Sequence, residues 1–174
     1  MSGVERRIDT AHGPARLVTH RSRRPFATLL LSHGAGVGID TADLVALATD
    51  LPRNGISVVL LEQPWRVAGR KVATAPSTLD DGLTAAANAL RVRTPLVVGG
   101  RSAGARSAAR CARSLGASGC LALAFPLHPP GRPEKSRLAE LEGAGVPTLV
   151  VQGERDSMGR PEEFPPDVDL AVVP

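Results

Sequence analysis

At 174 residues the chain has room for one domain and not for two comfortable ones. Apolar residues make up 43% and charged residues 22%, usage that excludes a disordered chain, and no apolar run approaches the ~20 residues that span a bilayer. Lys and Arg number 21 against 17 Asp and Glu, a net +4 that is scattered; with three Phe, one Trp and no Tyr to interleave, nucleic acid is disfavoured as a partner.

The opening MSGVERRIDTAHGPAR carries charges with no apolar run behind them, so it does not read as a signal peptide. Two cysteines, Cys111 and Cys120, cannot staple a domain of this size; they read as core residues in a reducing, cytoplasmic setting. Along the chain, Ala15–His20 reads as an antiparallel edge strand, and the RSRRP segment with Arg21, Arg23 and Arg24 as a solvated turn between two strands. Residues 28–32, 56–61, 96–99, 121–125, 148–152 and 170–173 are continuously apolar, the pattern of parallel strands covered on both faces. Between them, 43–51, 78–91 and 103–115 repeat apolar or small residues at helical spacing; Asn54-Gly55 stops the first and Gly116 the last. The alternation predicts an α/β fold with a mostly parallel sheet. Two loops stand out: 63–77, holding Trp65, Arg66, Arg70 and Lys71, and the proline-rich 126–134.

Three motifs fall at strand ends. Gly100-Arg101-Ser102-Ala103-Gly104 matches GxSxG between a predicted strand and a predicted helix, the context of a nucleophile elbow. Residues two before and two after such a serine crowd each other, so glycine there removes the conflict. The helix N-terminus beside it favours developing negative charge. The competing reading is a glycine-rich turn whose serine caps the helix. His33-Gly34-Ala35-Gly36 follows the strand at 28–32, where a glycine loop turns backbone N–H groups toward a carbonyl. With Ser102 as nucleophile, the oxyanion donors are the amides of Ala35 and Ala103, and His33, Gly34, Gly36, Gly100 and Gly104 shape the two turns. A phosphate-binding loop is the alternative, without a GxxxxGK[ST] or GxGxxG to support it. Gln152-Gly153-Glu154-Arg155-Asp156 follows another strand; Asp156 is the favoured triad acid and Glu154 the fallback, with an ion pair to Arg155 or Arg160 as the structural reading of either.

The order serine, acid, histidine calls for a histidine after Asp156, and His12, His20, His33 and His128 all precede it. His33 is expected to shape its turn, His128 to be structural, and the other two to lie near the exposed start.

HGAG at 33–36, GGRSAGARSA at 99–108, FPLHPPGRPEKSR at 125–137 and QGERDSMG at 152–159 occur in this order. In that series the chain resembles the compact dienelactone-hydrolase-like α/β-hydrolases. Within them it is most similar to the small lidless branch that includes the testis-expressed protein 30 type and a subunit of a chromatin acetyltransferase complex. The resemblance spans about residues 28 to 160. It implies a three-layer hydrolase sheet, Ser102 as nucleophile, Asp156 as acid, and Ala35 and Ala103 as oxyanion donors. It also implies a histidine loop and closing helix beyond the last strand, so the chain, ending at Pro174, is expected to be C-terminally incomplete within one domain. Apolar sheet surface should then be exposed, with weaker solubility or self-association. The expected function is hydrolysis of small esters or thioesters, with a small-molecule acyl substrate, no cofactor, no metal and no membrane or nucleic-acid partner. The alternative is a non-catalytic binding or scaffold protein on the same frame. The sequence leaves the oligomeric state open.

Overall fold

A computed structural model describes residues 3–71 and 75–174, so part of the 63–77 loop lies outside the described residues. Eight strands form one sheet: β1 (Val4–Ile8), β2 (Ala15–His20), β3 (Ala27–Ser32), β4 (Ile56–Glu62), β5 (Leu96–Arg101), β6 (Gly119–Leu123), β7 (Thr148–Gly153) and β8 (Asp169–Val173), in the order β1-β2-β4-β3-β5-β6-β7-β8. From β4 across to β8 every pairing is parallel, and β2 joins β4 antiparallel. The fold is therefore the predicted α/β class with a mostly parallel sheet. Segment Ala15–His20 is antiparallel as expected but is not the edge, because β1 pairs outside it. Arg16 ties the three strands together through Glu5 of β1 at 2.9 Å and Glu62 of β4 at 2.8 Å.

Helices α1 (Ala42–Asp50), α2 (Pro64–Val67), α3 (Pro76–Ala89), α4 (Ala103–Cys111) and α5 (Leu138–Glu142) fill the connections. After α1 the chain tightens into a 3-10 turn, Leu51–Asn54, and stops at Gly55 in the left-handed region with φ 86°. Proline at the first position starts α3 two residues earlier than predicted, and Leu90, with ψ 100°, ends it. The strand predicted at 121–125 runs instead over Gly119–Leu123, because Ala124 takes a φ of +46° that no strand tolerates.

Successive residues of each strand feed opposite faces. Leu30, Val59, Leu61 and Val98 pack against Leu83 and Ala86 of α3 and Ala108 of α4. Leu29, Leu31, Val58 and Leu60 pack against Leu44 and Ala48 of α1. Each Leu or Val among them, removed fully from water, contributes about 1.5–3 kcal/mol. On the α1 face, Leu47, Val97, Leu121, Leu149 and Val151 line an apolar groove of about 680 Å³. Among the described residues no helix is long and apolar enough to cross a membrane.

The opposite helices are tied by a half-buried charge network. Arg110 of α4 donates to both oxygens of Asp80 on α3, at 2.8 and 2.7 Å, and to Glu140 on α5 at 3.2 Å. Arg106 forks onto Glu140 at 2.7 and 2.6 Å, and the Ser107 hydroxyl donates to Asp80 at 2.7 Å. Burial works to raise Glu140, but the two arginines outweigh it and hold its carboxyl below the usual range. Asp80→Ala leaves Ser107 and most of Arg110 without acceptors, and should cost about 2 kcal/mol in chemical denaturation. An unchanged midpoint would mean that solvent replaces the carboxylate at no cost.

Candidate active site

Ser102 sits between the end of β5 and the start of α4 with φ 54° and ψ −113°, a conformation that costs a non-glycine residue about 1–3 kcal/mol. Its N–H donates to the Leu123 carbonyl at 2.9 Å and its carbonyl accepts the Arg106 N–H at 3.1 Å, so the turn is pinned from both sides. Its side chain makes no capping bond to α4, so the helix-capping reading of this serine is not what the turn shows. The flanking glycines are sterically required. A Cβ on Gly100 would lie 2.6 Å from the Gly104 carbonyl carbon and 2.5 Å from the Ser32 oxygen; one on Gly104 would press on the Ser32 and His33 carbonyls.

The turn after β3 meets this elbow: a Cβ on Gly34 would lie 3.5 Å from both the Arg101 oxygen and the Ser102 Cβ. His33 is fully buried, its Nδ1–H donates to the Gly34 carbonyl at 2.8 Å, and its Nε2 accepts the Gln63 N–H at 3.0 Å. Trp65 packs edge-on against the ring, centroids 5.2 Å apart. Burial pushes the His33 pKa down, so the imidazole is neutral, with both nitrogens committed to the turn. Gly36 departs from expectation. A Cβ there would meet nothing within 4 Å and its φ lies outside the left-handed region, so no steric reason for glycine exists at that position. The amides of Ala35 and Ala103, on half-buried residues, have no acceptor among the described residues. They belong to the turns at the ends of β3 and β5, which are paired neighbours in the sheet.

Asp156 lies in the turn after β7, half-buried, its Oδ1 accepting the Met158 N–H at 2.9 Å. With Asp43, Arg101, Ala124 and Val151 it lines a cleft of about 440 Å³ at the carboxyl ends of the strands. Glu154 is exposed, and its N–H pairs with the Val173 carbonyl at 2.9 Å. Among the described residues neither acid forms an ion pair with Arg155 or Arg160. Two neighbours were not evident from sequence. Arg101 pairs with Asp43 on α1 at 2.9 Å beside Ser102. Buried Gln152 donates to the carbonyls of Phe125 at 3.2 Å and Gly159 at 2.7 Å, holding the Asp156 turn against the segment that follows β6. Both pairs bridge segments far apart in the chain, so no local pattern announces them.

The other histidines are placed elsewhere. His12 meets Asp81 at 2.7 Å on an exposed rim, and His20 pairs with Val58 near the amino end of β4, the far end of the sheet from Ser102. His128 donates Nδ1–H to the Pro129 carbonyl at 2.8 Å and Nε2–H to Glu163 at 2.7 Å. Those two acceptors raise the His128 pKa, while the Arg160 N–H and His128 lower that of Glu163. A raised histidine contributes stability that is complete below its ordinary value of about 6.5 and is lost as pH rises through the folded pKa. Glu163→Gln should therefore cost stability at pH 6 and progressively less toward pH 9, read from denaturant midpoints. A constant deficit across that range would contradict a charged His128. Burial pushes the Cys111 and Cys120 thiols up to about 11 and about 12, which makes them inert core groups.

A family model described as an alpha/beta hydrolase domain matches residues 25–170. No match was found among curated proteins. Among solved structures, the chain is similar to a lidless α/β serine hydrolase from Xanthomonas campestris, with 19% identity, TM-score 0.73, 99% of this chain and 83% of that one covered. An α-β serine hydrolase homologue from Coxiella burnetii gives 17% identity and TM-score 0.80, with 99% and 88% covered. A dienelactone hydrolase from Anabaena variabilis gives 16% and 0.73, with 100% and 87% covered.

Proposed function

The chain belongs to the alpha/beta hydrolase domain family, and on that premise we propose that it is a serine hydrolase of the compact, lidless, dienelactone-hydrolase-like kind, acting on small esters or thioesters. The carrying observation is the strained Ser102 turn, with φ 54° at the N-terminus of α4 and glycines required on both sides. In this reading the Ser102 Oγ attacks the acyl carbonyl and its proton passes to an imidazole base oriented by Asp156. The carbonyl oxygen becomes an oxyanion facing the Ala35 and Ala103 amides. The imidazolium then protonates the departing alcohol or thiol. Water attacks the acyl-serine with the same base, and the carboxylic acid leaves. A small-molecule acyl substrate, a cytoplasmic setting, and no membrane or nucleic-acid partner belong to the same reading.

His33 and His128 have both ring nitrogens engaged, His12 Nε2 meets Asp81, and His20 lies at the far end of the sheet from Ser102. Free imidazole is therefore the base to supply in a test. Hydrolysis of short-chain acyl thioesters by this chain, measured against the matching imidazole blank, should rise with imidazole concentration until the cleft saturates. A second reading, a binding protein on the same frame, is favoured by those committed histidines. It is the outcome if the folded chain never exceeds the blank.

A further inference from the structure

At the end of the sheet opposite Ser102, the β2–β3 turn and the 3-10 turn before β4 bring Arg21, Arg23, Arg24 and Arg53 around one concavity of about 580 Å³. All four side chains are on exposed residues. Arg53 has a loose ion pair with Asp50 at 3.5 Å; among the described residues the other three meet no carboxylate. Clustered like charges repel, so their placement together costs free energy that an anion would return.

The backbone carrying them is held in place. The Ser22 N–H donates to the Ser57 hydroxyl at 3.0 Å, and the Phe26 N–H to the Gly55 carbonyl at 2.9 Å. Gly55 has φ 86°, and a Cβ there would lie 2.7 Å from the Phe26 ring, so that ring packs over Gly55, at the margin of the concavity, while remaining 64% exposed.

We propose that this concavity binds a compact polyphosphate anion. Four guanidinium groups and no lysine favour phosphate oxygens, which each planar fork meets in pairs. A concavity of about 580 Å³ has room for a small polyanion. The polyphosphate is either inorganic or borne by a nucleoside, and the exposed Phe26 ring beside Gly55 is what would separate the two, since only a nucleoside has a base to stack on it. The site is independent of Ser102 and of any hydrolase activity.

The test is calorimetric titration of the 174-residue chain with sodium tripolyphosphate. One-to-one binding is expected, weakening about tenfold between 50 and 200 mM salt. The triple variant Arg23→Gln, Arg24→Gln, Arg53→Gln should lose about thirtyfold or more in affinity with its thermal midpoint no lower than the parent's. The pair Arg132→Gln, Lys135→Gln, on the far loop, should bind as the parent does. A parallel titration with ATP decides the source. Tighter binding that Phe26→Ala removes assigns a nucleoside polyphosphate, and equal affinity unaffected by that change assigns the inorganic chain. Absence of binding, or equal losses in the triple variant and the far-loop pair, overturns the proposal.

Discussion

Gly104→Ala is expected to destabilise the chain by about 3 kcal/mol or more, enough to abolish folding in a marginal domain. The reason is the identity of the atoms in the way. A Cβ at Gly104 meets the carbonyls of Ser32 and His33, which are backbone atoms at the end of β3 and cannot rotate aside. Relief would require α4 to move off the sheet, taking Ala105, Ala108 and Ala109, all buried, out of their contacts. Gly36→Ala is the matched control, since a Cβ there meets nothing within 4 Å. Thermal melts of the two variants beside the parent chain read the difference. Equal melting temperatures would mean that the elbow is far softer than its contacts imply.

Ser102→Ala is expected to leave stability unchanged or slightly altered and to remove imidazole-dependent acyl transfer, a loss of about a hundredfold or more. The hydroxyl makes no capping bond, so the fold loses little with it. The chemistry loses its only covalent route. Retained turnover in the variant would place the reaction on a different group, and Cys111 and Cys120, buried with thiols pushed up to about 11 and about 12, are not suited to supply it.

Much of this architecture is legible in the sequence because parallel strands advertise themselves. Leu29, Leu30 and Leu31 are continuously apolar since both faces of β3 are covered. The Ser102 turn is legible for a steric reason, since only glycine tolerates the approach between positions 100 and 104. What escapes local pattern depends on partners far along the chain. Strand β1, with its charged VERRI sequence, has no apolar alternation and is held by Arg16 reaching Glu5. The end of β6 is set by the φ of +46° at Ala124, which alanine does not signal. Within the site, the turns carrying the candidate residues were readable. The Arg101–Asp43 pair, the Gln152 brace and the double engagement of His33 were not, because each needs a second segment to be in place. Gly36 differs from the elbow glycines in that the space around it is open, so its place in the motif carries no steric signal.

The most direct measurement is fluorophosphonate labelling of the folded chain across an imidazole series, with Ser102→Ala beside it and peptide mapping of the adduct. A single adduct on Ser102 is expected, forming faster as imidazole rises and absent from the variant. An adduct on any other residue, or a folded chain that stays unlabelled at every imidazole concentration, would contradict Ser102 as the nucleophile and leave the binding-protein reading in its place.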